Sequence, residues 1–172
     1  MIREVLKYGD ERLLLQSADV LEFDTPELRA LIDDLWDTME HENGVGIAAP
    51  QIGMTLRVIV FGFSANPRYP DEDGIARTVL INPVIRPLGL AREEGPEGCL
   101  SVPGWRGPVG RWSRIEYCGH DMHGREVAGV ARGFHARVIQ HECDHLDGIL
   151  YPMRMTAHTR LGAASSGQVK SS

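Results

Sequence analysis

Apolar residues fall at helical spacing over residues 26–40, where Leu28, Leu31, Ile32, Leu35 and Met39 share one face. Thr25 stands just before Pro26, which pairs an N-cap hydroxyl with a proline in the first turn. Asn43-Gly44 supplies the stop. The pattern predicts a helix with one side on a core. Two short β-rich runs follow, residues 56–63 (LRVIVFGF) and 78–85, parted by the polar, turn-forming NPRYPDEDG. Residues 114–118 and 126–130 predict two more strands, joined by GHDMHG. A second helix is expected over residues 134–146, with Gly148 just past its end. From Gly162 the chain is small and polar (GAASSGQVKSS). These patterns predict one domain over residues 1–160 and a disordered tail over residues 161–172. Strands that run first and a long helix that follows predict an α+β fold without alternating βαβ units.

Composition narrows the function classes. A chain of 172 residues suits a single domain with a core. Its net charge of -6, with no Lys/Arg run, argues against nucleic acid as the main partner. No stretch approaches the length of an apolar membrane span. Charges interrupt every apolar run of the N-terminus (MIREVLKYGDERLLL), so no signal peptide is read there and the expected location is cytoplasmic. Three cysteines, Cys99, Cys118 and Cys143, make an odd count and no disulfide framework.

The strongest chemical signal is His141-Glu142-Cys143-Asp144-His145. On a helix, residues four apart share a face, so two imidazoles can converge on one metal ion. Glu142, one step round, can reach a water at that ion instead of the ion itself. Apolar Val138, Ile139 and Leu146 flank the motif and predict a buried helix, where unpaired histidines are uncommon. A third ligand is needed. No histidine follows at metzincin spacing, and no glutamate follows Glu142. Upstream, Cys99 sits in the Gly- and Pro-flanked EEGPEGCLSVPG, and a thiolate suits iron or zinc. On residue type alone, however, a lone cysteine is more often a small buried hydrophobe. Cys143 points away from His141 and reads as core, as does Cys118. His120 and His123 read as loop residues, and His41 and His135 receive no role.

Three segments in order, residues 44–51 (GVGIAAPQ), 97–101 (EGCLS) and 140–145 (QHECDH), resemble peptide deformylase, and the likeness runs over residues 2–155. The resemblance implies antiparallel or mixed β-sheets packed around a central metal-binding helix. It implies hydrolytic removal of the formyl group from the N-terminal formyl-methionine of nascent chains, near the ribosome. It implies one divalent metal, most often Fe(II) with Zn, Ni or Co able to replace it, on Cys99, His141 and His145. Glu142 would move the proton. The Gln51 amide and the Leu100 backbone N–H would stabilise the oxyanion. Val45 and Gly46 would line the track of an extended substrate, and Glu97 and Arg106 match family positions near the site. Phe134 and Val138, near the His141 face of the helix, are expected with Val45 as walls of the methionine pocket. Asp144 is expected to support the ligands from outside. Two other classes fit the bare motif: an endopeptidase with a longer cleft, and a structural zinc domain. Cys99 argues against the first. A closed zinc site needs four protein ligands and gives no reason for a free Glu142.

Overall fold

The computed structural model describes residues 1–155. The proposed tail over residues 161–172 lies outside the described residues. The chain forms α1 (Pro26–His41), β1 (Gly46–Ala48), β2 (Val58–Phe63), β3 (Ile75–Pro87), β4 (Arg92–Cys99), β5 (Val102–Trp112), β6 (Arg114–His120), β7 (Glu126–Arg132), α2 (Gly133–Leu146) and the short α3 (Tyr151–Arg154). Five strands make an antiparallel sheet in the order β1-β2-β3-β6-β7, and β4 and β5 pair as a separate hairpin.

α1 starts where the sequence predicts: Thr25 Oγ1 accepts from the Leu28 N–H at 3.2 Å. Its end is a left-handed Asn43, φ 54°, with the Gly44 N–H donating to Met39 O at 2.8 Å. β2 explains the unbroken apolar run. Val58 and Val60 pack with α1, while Ile59 and Phe61 pack with α2 on the other face. A strand covered on both faces has no polar side to show. The sheet thus lies between the two helices at β2, and α2 runs through a buried setting.

Towards β6 and β7 only one face is covered. Ile115 is fully buried, whereas Cys118 is exposed beside its partners Val84 and Ala128. This corrects the expectation that Cys118 is core. It does not end its strand, and its two-residue register with exposed Glu116 places it on the solvent side. Cys143 is buried among Ile59, Phe61 and Ile139, as expected. The β4–β5 hairpin was not foreseen as a pair of strands. Glycine and proline fill it, and a bulge interrupts its register between Glu97 and Cys99. His120 is a strand residue whose ring packs on Phe23 at 5.3 Å, rather than part of a loop.

Candidate metal centre

Helix geometry brings His141 and His145 together. They stand one turn apart on α2, with ring centroids 5.1 Å apart. Cys99 comes from the end of β4, and its Sγ lies 3.2 Å from His145 Nε2. One donor atom from each of Cys99, His141 and His145 lies within 4.8 Å of the other two, and all three residues are buried. His141 Nδ1 is engaged by Glu97 Oε2 at 2.9 Å, which leaves Nε2 to face the cluster. A sulfur and two imidazole nitrogens converging in this way suit iron or zinc.

Electrostatics favour the same reading. Burial pushes the Cys99 thiol up, but His145 and His141 outweigh it and hold the thiol well below its ordinary range. In return, His141 is raised well above its ordinary value against burial, through Cys99 and Glu97. The chain therefore gathers an anionic sulfur and carboxylates that need buried positive charge. A divalent cation would supply it, leaving the imidazoles neutral as ligands must be.

Hydrogen bonds fix α2 against the hairpin. Gln140 accepts from the Trp112 N–H at 3.0 Å and donates to Trp112 O at 2.9 Å, so its amide mimics a neighbouring strand. Arg137 donates to Val109 O at 2.6 Å and to Glu93 O at 2.7 Å. Below them runs a buried ionic chain. Arg111 donates to both Glu97 oxygens at 2.7 and 3.0 Å and to Asp144 at 2.6 Å, and Arg154 also holds Asp144. Burial would raise the Glu97 carboxyl, but His141 and Arg111 hold it at about 2.

Glu142 is buried, and its Oε2 has no hydrogen-bond partner among the described residues. Burial pushes its carboxyl up to about 7, against the pull of His141 and His145. A bound cation would draw it down again. Gly46 is what lets it sit there: a Cβ at that position would lie 2.6 Å from Glu142 Oε1. Gln51 is oriented by its own turn. Its Oε1 accepts from the Ala48 N–H at 2.9 Å, so Nε2 faces Ser101 Oγ at 3.1 Å and Cys99 Sγ at 3.6 Å.

A cleft opens over the cluster. Of the expected residues, Val45, Gly46, Gln51, Glu97, Leu100, Phe134 and Val138 line it with Cys99, His141 and Glu142. His145 is only 1% exposed and packs against Cys99 and His141. Glu97, expected against substrate, has its carboxylate engaged by Arg111, Arg137 and His141. Arg106 does not pair with it. Arg106 is exposed at the outer mouth, over the Tyr69 ring at 4.8 Å. The Asp144 carboxylate is held by Arg111 and Arg154, and Arg111 links it to Glu97, which holds His141.

Sequence reasoning missed Arg111, Ser101, Arg137 and the Arg68-Tyr69 pair. Arg111 stands fourteen residues after Glu97, and without a recognised hairpin nothing in the sequence brings them together. Tyr69, an aromatic in a polar loop, was the one available signal, and its ring packs on Phe134 at 4.8 Å.

A model of the family described as polypeptide deformylase matches residues 2–161. The chain is 59% identical to peptide deformylase 2 of Ralstonia nicotianae over 162 residues, 94% of this chain and 92% of that protein. It is 57% identical, with the same coverage, to peptide deformylase 1 of Bordetella pertussis. Among solved structures, a class I type b peptide deformylase from Acinetobacter baumannii with bound Met-Ala-Ser is similar at TM-score 0.86 and 41% identity, covering 90% of this chain and 99% of that one. A plant peptide deformylase is similar at TM-score 0.83 and 30% identity, covering 95% and 85%.

Proposed function

The chain belongs to the polypeptide deformylase family, hydrolases that remove the formyl group from the N-terminal formyl-methionine of new polypeptides, and we propose that it does so with Cys99, His141 and His145 as ligands of one Fe(II) ion. The observation that carries the reading is the convergence of those three donors beneath a cleft, beside a buried carboxylate with an oxygen to spare. Zinc, nickel or cobalt would suit the same donors in a purified sample. When bound, the ion supplies Lewis acidity, which makes a water nucleophilic near neutral pH and polarises the formyl carbonyl.

The chain's own groups do the rest. Glu142 accepts a proton from the attacking water, and its unpartnered Oε2 is free for that. As water oxygen bonds to the formyl carbon, the carbonyl oxygen gains negative charge. Gln51 Nε2 and the Leu100 N–H donate to it. The Ala48 bond holds Gln51 with its donor, not its acceptor, towards the site. Glu142 then gives its proton to the departing amine. The C–N bond breaks, leaving formate and a free methionyl N-terminus. Glu97 holds the ring of His141 at Nδ1 and keeps the other nitrogen turned inwards.

Val45 and Gly46 border the cleft as β1 begins, where an extended peptide adds to exposed backbone. Phe134, Val138 and Val45 enclose the methionine side chain. Binding of Met-Ala-Ser by the Acinetobacter relative supports this placement of a methionyl chain. The substrate is the nascent chain near the ribosome, and the setting is cytoplasmic. No described helix is long and apolar enough to cross a membrane.

The test is anaerobic purification with metal analysis, assayed on formyl-Met-Ala. One metal per chain and release of formate are expected, with loss of both metal and turnover in Cys99→Ala. An unreactive, metal-free wild type would sink the proposal. For iron in particular, activity should decay in air, since iron and thiolate both oxidise. Unchanged activity over hours in aerated buffer counts against iron.

A further inference from the structure

The five-stranded sheet ends in two unlike edges. β1 is three residues long and buried. β7 is seven residues long, pairs only with β6, and has an exposed residue at every second position. Its backbone groups divide by parity. The Asp121 N–H donates to Arg125 O and the Gly133 N–H to Ser113 O, both at 2.9 Å. Both bonds continue the β6–β7 register. The odd-numbered residues of β7 therefore direct their N–H and C=O groups to β6. Glu126, Ala128, Val130 and Arg132 turn theirs to the open edge. An unpaired row of this kind is a template for another strand, and natural edges are guarded by lysine, proline, a bulge or a charge in mid-strand. β7 (EVAGVAR) has none of these, and its pairing with β6 shows no shift in register.

This edge is complementary to itself. In an antiparallel pairing with β7 of a second copy, centred on Gly129, Glu126 stands opposite Arg132 and Ala128 opposite Val130. Even positions meet even positions, so every outward N–H and C=O finds a partner. Each end carries an opposite-charge pair. Gly129 meets Gly129 on the symmetry axis, where the strands come closest, about 4.5 Å between α-carbons. A centre on Ala128 or Val130 loses both charge pairs, and a centre between residues loses the hydrogen bonds.

Within one copy Arg132 lacks a counter-charge. β6 sets Arg114 directly opposite it, a like-charge pair on the exposed face. Neither arginine has an ion-pair partner among the described residues. Glu126 of a second copy would supply a carboxylate on the other side of Arg132. The same face carries Val84, Cys118 and Ala128 in a row across three strands, all exposed. Val130 of a second copy would extend that apolar row across the joint.

We propose that two copies of this chain associate through β7, antiparallel about Gly129, into one continuous sheet with five strands from each copy. No residue of β7 lines the metal cleft. A joint of seven residues a side is smaller than a standard stable interface, so the dimer is reversible, with a Kd in the micromolar range.

The test is sedimentation velocity of the metal-loaded full chain from about 1 to 300 µM, a range that brackets such a Kd. The chain should pass from monomer to dimer. Over the same range, hydrogen exchange in the peptide spanning residues 126–132 should slow by at least about three-fold. Ala128→Pro removes an outward N–H and no bond to β6, and should leave the chain monomeric. Arg132→Glu and Glu126→Arg should each weaken self-association by at least about ten-fold, since each sets like charges opposite at both ends. Mixed in equal amounts, these two variants should associate with each other, because every 126–132 contact is then opposite in sign. Poor folding cannot produce that rescue. A wild type that stays monomeric at the highest concentration overturns the proposal. So does a dimer whose Kd is unchanged in Ala128→Pro, or a mixture of the two charge variants that associates no better than either alone.

Discussion

Glu142 and Glu97 are both buried carboxylates beside the same histidine, yet the structure sets them to opposite tasks. Glu97 is saturated by His141, Arg111 and Arg137 and held at about 2, so it stays charged. Glu142 has an idle oxygen and a raised carboxyl, so it can take up and release a proton. Replacing Glu142 by Gln keeps the shape and removes the proton acceptor. Deformylation should fall by about 10²- to 10⁴-fold with metal content unchanged, measured by formate release and metal analysis on one sample. Glu97→Gln should act through His141, weakening metal affinity or activity by about 10- to 100-fold, as read by competition with a chelator. Glu97 also carries a pH signature. Its carboxyl sits at about 2 against an ordinary 4.5. The stability it adds is complete above pH 4.5 and is lost as pH falls towards 2. Denaturant midpoints across that window should slope less in Glu97→Gln than in the wild type.

At the scale of elements, the site is a junction between α2 and the β4–β5 hairpin. Arg111 on β5 bridges Glu97 on β4 and Asp144 on α2, with its own side chain 6% exposed. Burial disfavours its charge, but Glu97 and Asp144 outweigh that and raise it further above its ordinary value. Arg111→Ala would leave Glu97 to His141 and Arg137 and Asp144 to Arg154, each short of its most buried partner. Chemical unfolding should show a loss of about 3–5 kcal/mol, since breaking a buried pair from one side leaves uncompensated charge. A loss under 1 kcal/mol would mean water reaches the network. β1 makes a second junction, because Gly46 lies directly against Glu142. Gly46→Ala should push the carboxylate aside and cut activity by at least about ten-fold, given the 2.6 Å approach to Oε1 and the sensitivity of catalysis to small misplacement. Normal turnover in that variant would show that Glu142 has room to move without losing its role.

For the whole molecule, the three donors tie together parts of the chain that are distant in sequence. Cys99 and His145 are 46 residues apart, with β5, β6, β7 and most of α2 between them. An ion that binds only the folded arrangement stabilises it in proportion to the logarithm of its concentration over Kd. At about 100 times Kd the gain is about 2.7 kcal/mol, which for a chain of this size corresponds to a rise of about 5–10 °C in Tm. Thermal melts of anaerobic protein with and without a strong chelator should show that difference. Identical melts would mean that the cluster is prearranged by protein contacts alone and gains nothing from metal.

Both helices and the inner strands were legible in the sequence, because each shows its environment through local period. α1 has a 3.6-residue stripe because one side faces the sheet, and β2 has none because both of its faces are covered. His141 and His145 were legible for the same reason, since helix pitch alone fixes their spacing. Cys118 was misjudged because the strand's period says that faces alternate but not which face meets water. The β4–β5 hairpin was hidden, since its glycines and prolines carry no alternation and its pairing depends on contacts across up to twenty residues. Sequence alone thus determined the helix that carries His141, His145 and Glu142. Tertiary structure decided the approach of Cys99 to the two histidines, the freezing of Gln51 by Ala48, and the different surroundings of Glu97 and Glu142. Those outcomes depend on which distant groups arrive to neutralise a buried charge, and no local repeat in a chain encodes that.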